Sequence, residues 1–357
     1  MDQQTANLLF DKGGFFVLLD APTNLEVGID TTMWTVGPRF KGIKLIPPGV
    51  HFVYYNSGRP TVSEMRTGFF HDFQSGEVVV RQWDPDHEQL FPASHIDSDQ
   101  QRRIASDIRS FDPFLGSYPL DPPKPFQMWK CLSGYIAAPL IHRIFGGSHA
   151  ITSADGGPYD ETPIRDNQGL AFTMIDLKRS FPSGAQGSVV TKYSQDKSWL
   201  LTHLLETAWN NDYRQLLGEM QLGFVCLLMG QNFTGFEHWK RIVHLVCLSN
   251  ECIPDLAATL YPAFIDVLQH QLAACPEDFY TDIIMADNFV VQLLQTLANH
   301  VAQLPSDERL AVLQSKLGRL KAFVHDQFGW TLSLNPCLTH DSDDDETGEY
   351  APVVVEL

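Results

Sequence analysis

Over residues 13–83 the apolar positions fall in short runs punctuated by glycine and proline: Phe15-Phe16-Val17-Leu18-Leu19, Gly42-Ile43-Lys44-Leu45-Ile46, and the stretches 50–55, 68–73 and 77–83. Within 50–55, Val50, Phe52 and Tyr54 alternate with His51, Val53 and Tyr55, the two-residue period of a strand. Pro47-Pro48-Gly49 can supply few ladder hydrogen bonds and predicts a turn between two strands. Gln74-Ser75-Gly76 has hairpin length and a glycine where positive φ is wanted, so it predicts that 68–73 and 77–83 pair. These residues form an antiparallel β module.

The period then changes. Ile104, Ile108 and Phe111 are spaced as a helix over residues 98–111, and residues 128–144 are helical in pattern up to Pro139. Residues 146–198 are rich in Gly, Ser, Asp and Pro and read as a linker, although Phe172-Thr173-Met174-Ile175-Asp176-Leu177 is apolar enough to dock. From Trp199 to Trp330 the apolar residues recur every 3.6 positions, as in Met220, Phe224, Leu227 and Leu228, or Phe236, Trp239, Val243 and Val246. Breaks near Gly230, Asn250, Cys275 and Leu304 divide this region into five to seven short helices. The expected architecture is α+β: an antiparallel β-rich sandwich or barrel-like domain over 1–145, a linker over 146–198, an all-helical domain over 199–330, and a flexible acidic tail over 331–357.

Length agrees, since 357 residues are enough for two domains with real cores. The chain carries 25 Lys and Arg against 43 Asp and Glu, a net charge of −18. That balance disfavours nucleic-acid backbones, whose binding draws on cationic side chains displacing counterions, and favours a basic protein partner. The first residues lack the charge and apolar run of a secretory signal, and no apolar stretch reaches the length of a membrane helix, so the chain is expected in cytoplasm and nucleus. Six thinly spread cysteines, Cys131, Cys226, Cys247, Cys252, Cys275 and Cys337, fit reduced thiols. Cys247 and Cys252 have a spacing that zinc sites allow, but no second close pair faces them.

Candidate chemistry is sparse. No phosphate-cradling loop, nucleophile elbow, zincin helix or kinase signature is present, so no catalytic, cofactor or metal residues are assigned. His71, Asp84, Asp86 and His87 could form an acid-base constellation for a hydrolase, against which stands the simpler reading of polar surface and turn capping. Trp239 fits a core stripe but is also a candidate partner-binding residue with Lys240 and Arg241, which together with His244 form a small basic face open to docking. At the tail, Asp341-Ser342-Asp343-Asp344-Asp345-Glu346 leads into Ala351-Pro352-Val353-Val354-Val355-Glu356-Leu357, a β-prone peptide on an acidic leash. Val353, Val354, Val355, Glu356 and Leu357 suit strand addition to another sheet, or pairing with an edge of the chain's own N-terminal sheet. Ser342, followed by four acids, is a candidate site for an acidophilic kinase.

Longer strings are more specific. Gly28-Ile29-Asp30, the run from Trp34 through Gly42-Ile43-Lys44-Leu45-Ile46-Pro47-Pro48-Gly49-Val50-His51-Phe52, Gly68-Phe69-Phe70 and Val80-Arg81-Gln82-Trp83 closely resemble the N-terminal signature of the Aar-two splicing-factor family. Leu217-Gly218-Glu219, Phe236-Glu237-His238-Trp239-Lys240-Arg241, Asp287-Asn288-Phe289 and the heptapeptide at 351–357 match the same family in the same order. The resemblance implies a β-rich domain followed by a helical, VHS-like one. It further implies a non-catalytic assembly chaperone of the U-five spliceosomal particle that binds the RNase H-like and JAB/MPN domains of the Prp-eight scaffold and keeps the Brr-two helicase away, with Val353–Val355 completing a sheet. A helical adaptor that reads peptides remains the alternative from fold alone.

Overall fold

A computed structural model describes residues 3–56, 66–120, 124–146, 150–152, 170–275, 289–305 and 308–332. The chain divides into two compact units, Met1–Ala171 with Val225–Thr234, and Phe172–Phe224 with Gly235–Leu357.

The first unit is built on two five-stranded sheets. Its strands are β1 (Gly14–Leu19), β2 (Glu26–Ile29), β3 (Thr32–Thr35), β4 (Gly42–Ile46), β5 (Gly49–Asn56), β6 (Arg66–Phe73), β7 (Val78–Asp84), β8 (Gln89–Leu90), β9 (Leu115–Ser117) and β10 (Ala150–Thr152). The order is β8-β7-β1-β4-β9 in one sheet and β10-β6-β5-β2-β3 in the other. Alternation along β1 sends Phe16 and Leu18 into a core shared with Val27, Ile29, Val53 and Phe73, while Phe15 and Val17 pack on Val78 and Val80 under Phe10, Ile104 and Phe111. Those three come from helices α1 (Gln3–Lys12), α2 (Ser98–Ser106) and α3 (Ile108–Phe111). Helices α4 (Lys124–Ser133) and α5 (Ala138–Phe145) serve the second sheet: Phe145 lies 5.3 Å from the Phe70 ring, and Trp129 Nε1 donates to the Val50 carbonyl at 2.8 Å. Each large side chain so buried contributes about 2 kcal/mol.

Two expectations need correcting. The sheet of β5 and β2 is antiparallel as anticipated, but β1 runs parallel to β7 and β4 parallel to β9. Alternation reports which face is buried, not the direction of the neighbouring strand, and these neighbours are brought together by the long excursion through the other sheet. The turn at 74–77 is likewise no hairpin, because β6 and β7 belong to different sheets. Gly76 does adopt positive φ, +69°, but its N–H donates to the Lys12 carbonyl, so the turn is tied to the end of α1 and carries the chain across the sandwich. Pro139 begins α5 at its first turn, where a missing N–H costs nothing, so the helical pattern across 128–144 is two helices.

Among the described residues, the helices from 188 to 328 are α6 (Ser188–Gln195), α7 (Ser198–Thr207), α8 (Tyr213–Leu228), α9 (Phe233–Cys247), α10 (Ile253–Leu256), α11 (Leu260–Ala274), α12 (Phe289–Gln303) and α13 (Glu308–Phe328), the end of α8 and the start of α9 falling within Val225–Thr234 and the rest within the second unit. The expected breaks near Gly230 and Asn250 are present, and the chain also breaks at 208–212 and at Ala257-Ala258-Thr259, where no break was expected. Gly223 lets two helices approach closely, since a Cβ there would lie 2.7 Å from the Gly235 carbonyl oxygen. Phe224 and Phe236 flank Trp239 at 5.9 Å each, and Trp239 Nε1 donates to Gln271 at 2.8 Å. The chain is therefore α+β, a β-rich unit and a helical one.

Candidate functional site

The N-terminal signature folds into one buried polar cluster. Asp30 sits in the two-residue loop between β2 and β3 with φ of +53°, a conformation Asp tolerates, and is 1% exposed. Its Oδ1 accepts from the Phe52 N–H at 3.0 Å, and its Oδ2 accepts from the Tyr118 hydroxyl at 2.6 Å. His51, also 1% exposed, places Nδ1 2.6 Å from Oδ2 and Nε2 2.7 Å from the Pro47 carbonyl, which can only accept. Burial, with the Asp30 charge second, pushes the Tyr118 hydroxyl far up, so it stays a donor. Phe126 and Trp129 stack on the His51 ring, closing the cluster to solvent. Two glycines of the same strings are steric necessities: a Cβ on Gly28 would lie 2.2 Å from the Tyr54 ring, and one on Gly42, with φ of +137°, would lie 1.9 Å from the Phe16 carbonyl oxygen. The signature thus builds the sandwich.

A second cluster anchors the extended residues 172–180 to the helical unit. Glu219 on α8, fully buried, accepts from Thr173 Oγ1 at 2.7 Å, the Thr173 N–H at 3.0 Å and Trp209 Nε1 at 2.9 Å. His238 Nε2 approaches it to 2.8 Å and the His238 ring stacks on Phe172 at 4.3 Å. Ile175 and Leu177 are buried. At the far end Lys197 donates from Nζ to the Leu177 carbonyl and Ser180 Oγ, each at 3.0 Å, and to the Ser194 carbonyl. Three acceptors match the three protons of an ammonium, and burial lowers its pKa to about 8, against the opposing charges of Asp196 and Asp176.

The candidate residues scatter. Trp239, offered as part of a docking face, is 1% exposed and belongs to the core, the outcome its helical spacing favoured. Lys240 and Arg241 are partly exposed; Lys240 pairs with Glu237 at 3.3 Å and lies over the Phe236 ring. His244 adds no charge to that face at neutral pH, because burial, helped by Lys240 and Lys197, pushes its pKa down to about 4. His71 is bound to Glu77 at 3.0 Å, while His87 pairs with Asp84 at 2.8 Å. Asp84 Oδ1 also accepts from the backbone N–H of Asp86 and His87; burial works against its charge, but these bonds hold its carboxyl below the usual range. These are turn caps in two separate places, with no shared centre. Burial pushes the Cys226 and Cys247 thiols well up, and among the described residues no group of His, Cys, Asp and Glu could hold a metal. No helix among them is long and apolar enough to cross a membrane. Ser342 and residues 353–357 lie outside the described residues.

A profile of the AAR2 N-terminal domain matches residues 12–146 and one of the AAR2 C-terminal repeat region matches 172–333. A human protein named Protein AAR2 homolog is 31% identical over 393 aligned residues, covering 100% of this chain and 97% of its own. The chain belongs to the AAR2 family. A Caenorhabditis elegans Protein AAR2 homolog is 32% identical over 93% of this chain and 98% of its own, and the Saccharomyces cerevisiae A1 cistron-splicing factor AAR2 is 23% identical over 74% and 78%. The AAR2 C-terminal profile begins at Phe172, the residue that stacks on His238.

Sequence reasoning missed Tyr118, Thr173 and Lys197. Tyr118 is 88 residues from Asp30 and Thr173 is 46 from Glu219, and nothing local marks either. Only Lys197 left a trace, a lysine opening a run that is otherwise apolar on its inner face.

Proposed function

We propose that this AAR2-family protein is a non-catalytic assembly chaperone of the U-five spliceosomal particle. It binds the RNase H-like and JAB/MPN domains of the Prp-eight scaffold and holds off the Brr-two helicase until the particle is mature. The observation that carries the reading is similarity over the whole chain to AAR2 homologues, one relative being named a splicing factor. A splicing-related role is what those names support.

Residues 353–357 supply the docking strand: main-chain hydrogen bonds give affinity and alternate valines specificity. Lys240 and Arg241 form an accessory contact for acidic residues of the scaffold. Phosphorylation of Ser342, adding roughly −2 of charge, tunes release. The protein works in cytoplasm and nucleus, contacts no nucleic acid directly because of its net charge of −18, and needs no cofactor.

The test is affinity for the recombinant RNase H-like plus JAB/MPN region, comparing the full chain with one ending at Glu349. Weakening of about a hundredfold or more on truncation, roughly 3 kcal/mol, is the expected result. Equal affinities would place the anchor outside the tail, and no binding by either chain would overturn the reading.

A further inference from the structure

Helix α13 carries two stripes at one spacing. Leu310, Leu313, Leu317, Leu320 and Val324 recur three and four positions apart, and all are buried where the helix packs on α11 and α12. The residues one position earlier, Arg309, Val312, Lys316, Arg319 and Phe323, repeat that spacing about 100° round the helix, so they line a second stripe beside the buried one. Val312 is 53% exposed, Arg309 and Arg319 are exposed, and Lys316 and Phe323 are partly buried. Contacts at its flank hold this stripe in shape. Lys316 Nζ donates to the Pro262 carbonyl at 3.3 Å and pairs with Asp266, both on α11, and the Phe323 ring meets Phe328 edge-on at 5.8 Å.

The charge here runs against the rest of the chain. From Arg309 to His325 there are four Lys and Arg and no acid, in a protein of net charge −18. Glu308 and Asp326 stand just outside the two ends of that run. Asp266 meets one of the stripe's three cations, and no carboxylate among the described residues pairs with Arg319. Physiological salt screens charges beyond about 8 Å, so a segment lying on the stripe feels mainly these cations and little of the net charge. A lone exposed valine is ordinary surface, but Val312 shares a helical line with Phe323 and three cations, the pattern of a seam that receives another helix. We propose that this stripe docks an acidic amphipathic helix of a partner protein, laid along α13 with apolar positions against Val312 and Phe323 and carboxylates on Arg309, Lys316 and Arg319. Apolar contacts would give affinity, and the flanking charges would select the partner. A phosphate backbone fits less well, since it asks for cations where Val312 and Phe323 stand. The proposal goes beyond the scaffold reading and does not depend on it.

The probe is a fluorescein-labelled synthetic peptide of three heptads, with leucine at both core positions and glutamate beside them, whose like charges oppose self-pairing. Anisotropy with the full chain should show saturable binding that weakens as salt rises from about 50 to about 500 mM. Arg319→Glu and Val312→Asp should each weaken it about tenfold or more, while Arg102→Glu, at an exposed cation on α2, should leave it unchanged. Neither Arg319 nor Val312 enters the buried stripe, so both variants should keep the parent's circular dichroism; should Val312→Asp fail to fold, Val312→Ser replaces it. A scrambled peptide of equal composition keeps the charge and loses the seam, and should bind at least tenfold more weakly. No binding by the heptad peptide, equal binding by the scrambled one, or binding that survives both substitutions overturns the proposal. Tighter binding of a polyuridine oligomer, lost in Arg319→Glu, would make the stripe a nucleic-acid contact and overturn it as well.

Discussion

Acid should weaken the helical unit in part through one histidine. The His244 ring lies flat against Phe289, centroids 5.6 Å apart and planes within 5°, and burial, then Lys240 and Lys197, lower its pKa to about 4. In the unfolded chain it titrates near 6.5, so between those values the unfolded state binds the proton that the folded state refuses. Stability carried by neutral His244 is complete above pH 6.5 and is lost as pH falls toward 4. A gap of about 2.5 pH units corresponds to about 3 kcal/mol at the limit, and about 2 kcal/mol at pH 4.5 after allowing for partial exposure. His244→Phe keeps a flat ring against Phe289 and removes the titration. Urea unfolding followed by fluorescence of the buried Trp209 and Trp239, at pH 7 and 4.5, should show the variant losing about 2 kcal/mol less than the parent. Carboxylates elsewhere titrate in both proteins and cancel in the comparison. Parallel loss in the two would refute the argument and return His244 to the exposed basic face.

Two further predictions concern the buried carboxylates. Asp30→Ala strands His51, the Tyr118 hydroxyl and the Phe52 N–H, and should cost about 3–5 kcal/mol in urea unfolding, while Tyr118→Phe, which removes one donor, should cost about 1 kcal/mol. Similar losses in both variants would show that the cluster is not organised around the carboxylate. Glu219→Gln keeps the shape but points amide hydrogens at Trp209 and Thr173; about 2 kcal/mol of stability and faster proteolysis within 172–180 are expected, and unchanged cleavage would contradict the anchoring role.

How much of this was legible depended on range. Strand and helix periods are local, so β5 from Val50, Phe52 and Tyr54, and α9 from Phe236, Trp239, Val243 and Val246, could be placed by spacing alone. The partner of a strand is not local: nothing in Val78-Val79-Val80 says that β7 lies parallel to β1, and the glycine turn before it looks the same whether it closes a hairpin or crosses a sandwich. The polar clusters were hidden for the same reason. Asp30 and His51 both stood inside the family string, yet only the fold brings them 2.6 Å apart and adds Tyr118. Trp239 shows the opposite case, where ordinary helical spacing was the better guide and the docking role had no local support.

Glu219 and Lys197 also bear on how the protein can be cut. A fragment begun at Trp199, where the helical period starts, would contain Glu219 but none of the Thr173 groups that satisfy it, and would lose Lys197 altogether. Glu219 would keep Trp209 Nε1 and the nearby His238 but lose both bonds from Thr173, a defect of about 1–3 kcal/mol, an appreciable part of what a domain of this size has to spare. The smallest inheritable piece of the helical half therefore starts near Phe172, and a shuffling event that broke the chain between 172 and 199 would deliver a damaged module. The boundary of the module is drawn by two charges, not by where its first long helix begins.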